Sequence, residues 1–109
     1  MKAHIDFSVL TPSGSVGRVH GEMDFQIVPR NSELISFMFP RNGIPPPVVP
    51  SFAFQVAVQK VLHTPWMQSN QIGLALEDVV VATVPEALQV MQYFRDGFGL
   101  ISEAFEDDA

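Results

Sequence analysis

The sequence predicts an α+β fold: an antiparallel sheet of four to five strands, followed by one C-terminal amphipathic helix packed on one face of the sheet. Two patterns predict this class. The first part of the chain alternates between apolar and polar residues with a period of two, as half-buried strands do. The end of the chain instead spaces its apolar residues three and four apart, as helices do. With 109 residues, the chain is predicted to form a single domain over residues 1–109.

The first two strands are predicted from two alternating runs that are separated by a turn. Residues 4–11 place apolar side chains on one face and polar side chains on the other. Residues 12–17 contain a proline, two serines and two glycines, which are turn-forming residues. Residues 19–27 then alternate again. The two runs therefore predict a hairpin with one apolar face and one polar face.

Two further strands flank a proline-rich segment. Residues 34–39 are apolar in both phases, which predicts a strand at the centre of the sheet or one covered by a partner. The Pro-rich loop at 40–50 holds five of the nine prolines and is incompatible with a helix or a central strand. Residues 52–58 alternate regularly, and a change of phase near Gln59 and Lys60 predicts a β-bulge there.

A fifth strand is predicted within residues 72–84, and the helix follows it directly. Thr83 and Glu86 have the spacing of a capping box, with a proline in the first turn. Gly97 and Gly99 each cost about 1 kcal/mol relative to alanine inside a helix, so a break is expected near them. The predicted apolar stripe of the helix consists of Ala87, Met91, Phe94, Phe98, Ile101 and Phe105.

The composition limits the classes of function. The absence of cysteine excludes disulfides and thiolate metal sites. No apolar run approaches the roughly 18 residues of a membrane span, and the N-terminal residues do not resemble a secretory signal, so a cytoplasmic location away from membranes is expected. A net charge of −6 repels phosphate backbones, which argues against a nucleic-acid partner. Acidic residues near the C-terminus oppose the helix dipole and predict a frayed acidic tail at 106–109.

The most concentrated group of chemically active side chains lies on the polar face of the predicted hairpin. It consists of His4, Asp6, His20, Glu22 and Asp24. Such a face is most simply a solvated surface. Two imidazoles and three carboxylates would also suit a divalent metal or acid–base chemistry, but the histidines are far apart in sequence and no zinc signature is present. We favour a third interpretation, in which Asp6, Glu22 and Asp24 dock a basic protein partner. No metal or cofactor is predicted.

Two other groups of residues are candidates for binding. His63, Trp66 and Tyr93 are predicted to line a pocket between the sheet and the helix. One helix covers only one face of a sheet, so the doubly apolar strand at residues 34–39 would leave an exposed apolar surface, which monomers avoid. A homodimer is therefore predicted, with Phe37 and Phe39 near its interface.

These observations predict a non-enzymatic protein–protein interaction domain, an acidic cytoplasmic protein of the inhibitor, adaptor or dedicated-chaperone type. Two alternatives stay open. One is a small-molecule-binding or enzymatic α+β domain that uses the pocket between sheet and helix. The other is a structural subunit of a larger assembly. No residue is identified as catalytic, because no stretch of the chain carries a nucleophile, nucleotide or metal motif.

Overall fold

The computed structural model describes residues 2–40, 42–50, 52–63 and 72–104. Over these residues the chain forms seven strands and one helix, and the class is α+β. The elements in chain order are β1 (Lys2–Thr11), β2 (Gly14–Asp24), β3 (Leu34–Ser36), β4 (Gln55–His63), β5 (Ile72–Leu76), β6 (Val79–Val80), α1 (Val84–Phe98) and β7 (Ile101–Ala104). The predicted α+β class is confirmed, but the expectation of four to five antiparallel strands is wrong, because the sheet is larger and mixed.

The sheet has the strand order β3-β4-β5-β1-β2-β7, and β6 pairs with β1 beyond the end of β5. β1 and β2 form the predicted antiparallel hairpin, whereas β5 and β6 lie parallel to β1. The parallel pairing arises because the chain between β2 and β5 returns to the starting end of β1 before β5 begins. Pairing between strands so far apart in sequence leaves no local pattern to detect. The predicted bulge is present as a shift of register between Val58 and Lys60.

The helix begins as the sequence predicts and ends earlier than predicted. The Thr83 hydroxyl accepts a hydrogen bond from the Glu86 amide at 3.3 Å and donates one to the Glu86 carboxylate at 3.0 Å. At the other end Gly99 adopts φ 68°, and its amide bonds the Arg95 carbonyl at 3.1 Å. This left-handed cap turns the chain into β7, so Ile101 lies in a strand. The predicted acidic tail at 106–109 and Phe105 lie outside the described residues.

The apolar core is closed by the helix together with the segment that follows β3. The helix packs over β1, β2 and β7. Phe37 is fully buried, with ring-centroid distances of 6.4 Å to Phe7, 4.8 Å to Phe94 and 5.3 Å to Phe98. Val49, within the Pro-rich loop, is also buried. The chain thus covers by itself much of the apolar surface that was expected to need a partner.

β3 lies at one edge of the sheet, so the expected central position is wrong, whereas cover by a partner stays a prediction. Its two faces differ in exposure: Ile35 is buried, whereas Leu34 and Ser36 are exposed. Burial in the core accounts for Ile35, whereas Leu34 of the other phase is 63% exposed. Within the described part of the chain, no helix is long and apolar enough to cross a membrane.

Candidate functional site

A cleft of about 710 Å³ opens at one end of the core. It lies where β1 begins, where β2 ends and where α1 ends, and the segment from β3 to Pro40 forms its opposite wall. The residues that line it are Lys2, Glu22, Met23, Asp24, Phe25, Ile35, Ser36, Phe39, Gly97 and Phe98. Its walls are therefore mostly apolar, and the charged side chains come from the paired ends of the first hairpin.

The hairpin side of the cleft follows from the register of β1 and β2. Lys2 pairs with Asp24, so β2 reaches the start of β1 at that point and Phe25 lies beyond the paired part of the hairpin. Met23 and Phe25 continue the apolar phase of β2 and are partly buried against the core. Glu22 and Asp24 belong to the opposite phase and are exposed. Alternation within one strand thus places apolar groups and carboxylates side by side at the cleft.

The helix side of the cleft is held in place by two contacts. The Asn42 side chain donates a hydrogen bond to the Asp96 carbonyl at 2.7 Å. A Cβ atom at Gly97 would lie 3.1 Å from the Cβ of Pro40, so glycine allows this close approach between the helix and the loop. Together these contacts hold the start of the Pro-rich loop against the last turn of α1.

Phe39 is the most exposed aromatic side chain among the described residues of the cleft, with 85% of its surface accessible. Met38 beside it is 41% exposed. An apolar group left in water next to a concave apolar surface is typical of a binding site. The cleft can therefore bury apolar side chains, while Glu22 and Asp24 favour cations near its opening.

The polar face of the hairpin contains the predicted group of histidines and carboxylates, since His4 pairs with Glu22 and Asp6 pairs with His20. The Arg18 guanidinium holds Asp6 through two hydrogen bonds of 2.9 and 2.6 Å. This hydrogen bonding lowers the pKa of the Asp6 carboxyl group and raises that of Arg18.

The two histidines of this face lie close together, and His20 lies next to β7. Their ring centroids are 5.7 Å apart. His20 Nε2 lies 3.5 Å from Glu103 Oε1. Among the described residues, no group of three or more histidine, aspartate or glutamate side chains is placed to hold a metal ion. The face therefore forms a set of pairwise contacts within the sheet, and of the three proposed docking carboxylates only Glu22 and Asp24 reach the cleft.

Neither His63 nor Tyr93 lines this cleft. Tyr93 is buried, and its hydroxyl donates a hydrogen bond to the Phe37 carbonyl. His63 is exposed at the end of β4. Trp66 lies outside the described residues.

The two residues assigned to a dimer interface have different environments. Phe37 is enclosed by the chain itself, whereas Phe39 is exposed at the cleft. The homodimer stays a prediction, and sedimentation equilibrium at micromolar concentration tests it. A monomer at that concentration would contradict it.

Sequence reasoning missed most of the apolar lining, namely Met23, Phe25, Ile35 and Phe98. A signal for part of it was present. The turn at residues 12–17 sets the hairpin register, and the apolar phase of the second run extends to Ile27, past the start of the first strand. Apolar residues that overhang a hairpin in this way indicate a surface that something else must cover.

Comparisons with protein-family models, with curated proteins and with solved structures found no match.

Proposed function

We propose that this protein is an acidic, non-enzymatic interaction domain of the inhibitor, adaptor or dedicated-chaperone type, and that it binds a basic protein partner through the cleft. The observation that carries the proposal is the combination of exposed Phe39, an apolar cleft of about 710 Å³, and the carboxylates of Glu22 and Asp24 at the same site.

The apolar part of the cleft supplies the binding energy in this proposal. Complete burial of a phenylalanine side chain contributes about 1.5–3 kcal/mol, and Phe39 is still 85% exposed in the free chain. A partner that inserts an apolar side chain beside Phe39 removes both apolar groups from water. Aromatic anchors of this kind dominate many protein interfaces.

In this proposal the charge of the chain determines which partners bind and how fast they associate. The net charge is −6, and the described residues that line the cleft include Glu22, Asp24 and Lys2. Complementary charge accelerates encounter with a cationic partner and disfavours acidic competitors, and salt screens both effects.

The size of the cleft favours one second candidate. About 710 Å³ is also suitable for a small molecule, since such sites span roughly 300–1,000 Å³. In that case a metabolite panel would raise the thermal midpoint of the protein, and the Phe39→Ala variant would lose this increase.

Selection from a displayed peptide library, followed by affinity measurement at several salt concentrations, tests the proposal. We expect the selected peptides to combine lysine or arginine with an aromatic or aliphatic residue. Phe39→Ala should weaken their binding about tenfold, because it removes an apolar contact worth about 1.5 kcal/mol. Val48→Ala is the matched control, since Val48 is 92% exposed and lies outside the cleft lining.

The charge contribution is tested by the double variant Glu22→Gln/Asp24→Asn. We expect weaker binding at low salt and a shallower dependence of the affinity on salt. The control is Glu77→Gln/Asp78→Asn, which removes the same charge from two exposed residues outside the cleft lining. Equal effects of the two double variants, or selected peptides without basic residues, would contradict the proposal.

A further inference from the structure

We propose that the partner presents an extended basic segment, which binds as an additional β-strand along the outer edge of β3 and places an apolar side chain in the cleft. This inference rests on the proposed function and specifies the form of the ligand. It follows from the hydrogen bonding of β3, from the position of β3 beside the cleft, and from the charge around both.

The hydrogen bonds of β3 show which backbone groups point away from β4. The Val58 amide donates to the Glu33 carbonyl at 2.9 Å, and the Phe37 amide donates to the Phe54 carbonyl at 2.8 Å. Ile35 lies midway between Glu33 and Phe37 and pairs with Val56. Backbone groups alternate in direction along an antiparallel strand, so those of Leu34 and Ser36 point to the outer edge.

This outer edge presents the backbone groups of Leu34 and Ser36 for pairing. β3 spans Leu34–Ser36, or about 10 Å, and its hydrogen bonds to β4 and the residues before β4 continue at Glu33 on one side and Phe37 on the other. Among the described residues, no strand lies beyond β3. Residues 34–38 contain neither proline nor a charged side chain, and Leu34 is 63% exposed. Natural edge strands that must not pair usually carry proline or charged residues.

The edge and the cleft are continuous. Ile35 and Ser36 both line the cleft, and Phe39 follows three residues later. Side chains of an added strand alternate between the two faces of the sheet. Alternate residues of a segment on β3 therefore face the cleft, which is the way in which strand addition combines backbone affinity with side-chain selection.

Charge distinguishes a basic segment from a second copy of this chain. Pairing of β3 with β3 of another copy would bring together two chains that each carry a net charge of −6. Like charges oppose association, whereas lysine or arginine in an added strand would be attracted to the negatively charged chain. The occupant is therefore a cationic extended segment.

The test uses a peptide of alternating lysine and apolar residues with a central phenylalanine, titrated into the full-length protein by calorimetry. A second peptide carries N-methyl groups on the backbone amides that would face β3, so it keeps its charge and side chains but cannot donate those hydrogen bonds. We expect the methylated peptide to bind at least tenfold more weakly, since it loses more than one hydrogen bond and each is worth about 1 kcal/mol, or about a factor of five.

A matched pair of protein variants tests the same hydrogen bonds by changing β3 instead of the peptide. Ser36→Pro removes an amide that points away from β4, and proline is tolerated at such positions of edge strands. Ser36→Ala keeps the amide and serves as the control. We expect the proline variant to retain the circular dichroism spectrum of the fold and to bind the unmethylated peptide about fivefold more weakly, while the alanine variant binds normally.

The outcomes separate this inference from the proposed function. Equal binding of both peptides, with Phe39→Ala still weakening the interaction, would overturn strand addition and leave the basic partner of the cleft intact. No binding of either peptide, with association of the protein through β3 that Ser36→Pro abolishes, would show that the occupant is a second copy and would overturn the inference. If no library-selected basic peptide binds in a way that depends on Phe39, the proposed function itself is overturned.

Discussion

Replacement of Tyr93 by phenylalanine tests how the segment after β3 is held in the core. Tyr93 is 3% exposed, and its hydroxyl donates a hydrogen bond to the carbonyl of the fully buried Phe37. The ring itself packs against Phe54 and Phe98 at centroid distances of 5.1 and 5.6 Å. Tyr93→Phe keeps these ring contacts and removes only the hydroxyl. The variant therefore isolates one buried hydrogen bond.

The expected loss of stability follows from the carbonyl that is left behind. A buried acceptor deprived of its donor costs about 1–3 kcal/mol. Domains of this kind unfold with a free energy of about 5–15 kcal/mol, so the variant loses a measurable share of the total. The thermal midpoint should fall by roughly 5 °C for each kcal/mol lost. Urea unfolding followed by circular dichroism measures the difference directly.

Alkaline pH provides an independent check on the same group. Burial raises the pKa of Tyr93 above its usual value of 10.0, because the tyrosinate would be poorly solvated in the core. The stabilisation linked to the neutral phenol is fully present below pH 10.0 and is lost as the pH rises through the raised pKa. The stability difference between wild type and Tyr93→Phe should therefore shrink above pH 10.

The sequence makes the titration easy to assign. Tyr93 is the single tyrosine in the chain, so the tyrosinate absorbance in the near ultraviolet reports this side chain alone. We expect its midpoint in the folded protein to lie above the midpoint measured in urea. Identical midpoints in the two conditions, together with a stability loss below about 0.5 kcal/mol, would refute the reasoning that the hydroxyl is buried and bonded.

Three further substitutions test the elements around the site by chemical unfolding. Gly17→Ala would place a Cβ atom 2.6 Å from the Glu103 carbonyl oxygen and against Met91, so we expect a loss of about 1–3 kcal/mol and faster amide exchange in β7. At Gly99 an added Cβ atom would have no other atom within 4 Å, so Gly99→Ala should lower the free energy of unfolding by only about 1 kcal/mol, the cost of alanine at the left-handed φ of 68°. A much larger loss of stability would contradict this. Asp6→Asn should cost up to about 1 kcal/mol at neutral pH, because the Asp6–Arg18 pair is 40% exposed on each side. Since the pKa of Asp6 is lowered, that contribution is present above pH 3.8 and disappears as the pH falls through the lowered pKa.

Local patterns predicted the local elements of this fold. The hairpin, the bulge near Lys60 and the Thr83 cap each depend on residues within about twenty positions of one another, and each is present. The parallel pairing of β5 with β1 joins residues such as Ile5 and Leu74, which are far apart in sequence. Periodicity reports which face of a strand is buried, and it contains no information about the neighbour of that strand.

The candidate site was only partly predictable for the same reason. Glu22 and Asp24 were identified from charge and alternation, and both lie at the cleft. The predicted importance of Phe37 came from the doubly apolar run, but this side chain fills the core because the segment after β3 passes beneath α1. The pattern could not reveal this, since an edge strand with one phase buried and a two-sided central strand have the same apolar sequence.

The strand that the sequence did not predict explains why the cleft exists. The apolar spacing of α1 continues through Ile101, and a helix that continued would rise about 1.5 Å per residue past the end of the sheet. The chain instead turns at Gly99, and Ile101 pairs with His20 in β7. Pairing of β7 thus ends the helix at Phe98, which lines the cleft together with Met23 and Phe25. The turn at Gly99 that lets β7 complete one edge of the sheet therefore also ends the helix at the cleft, and among the described residues β3 forms the other edge.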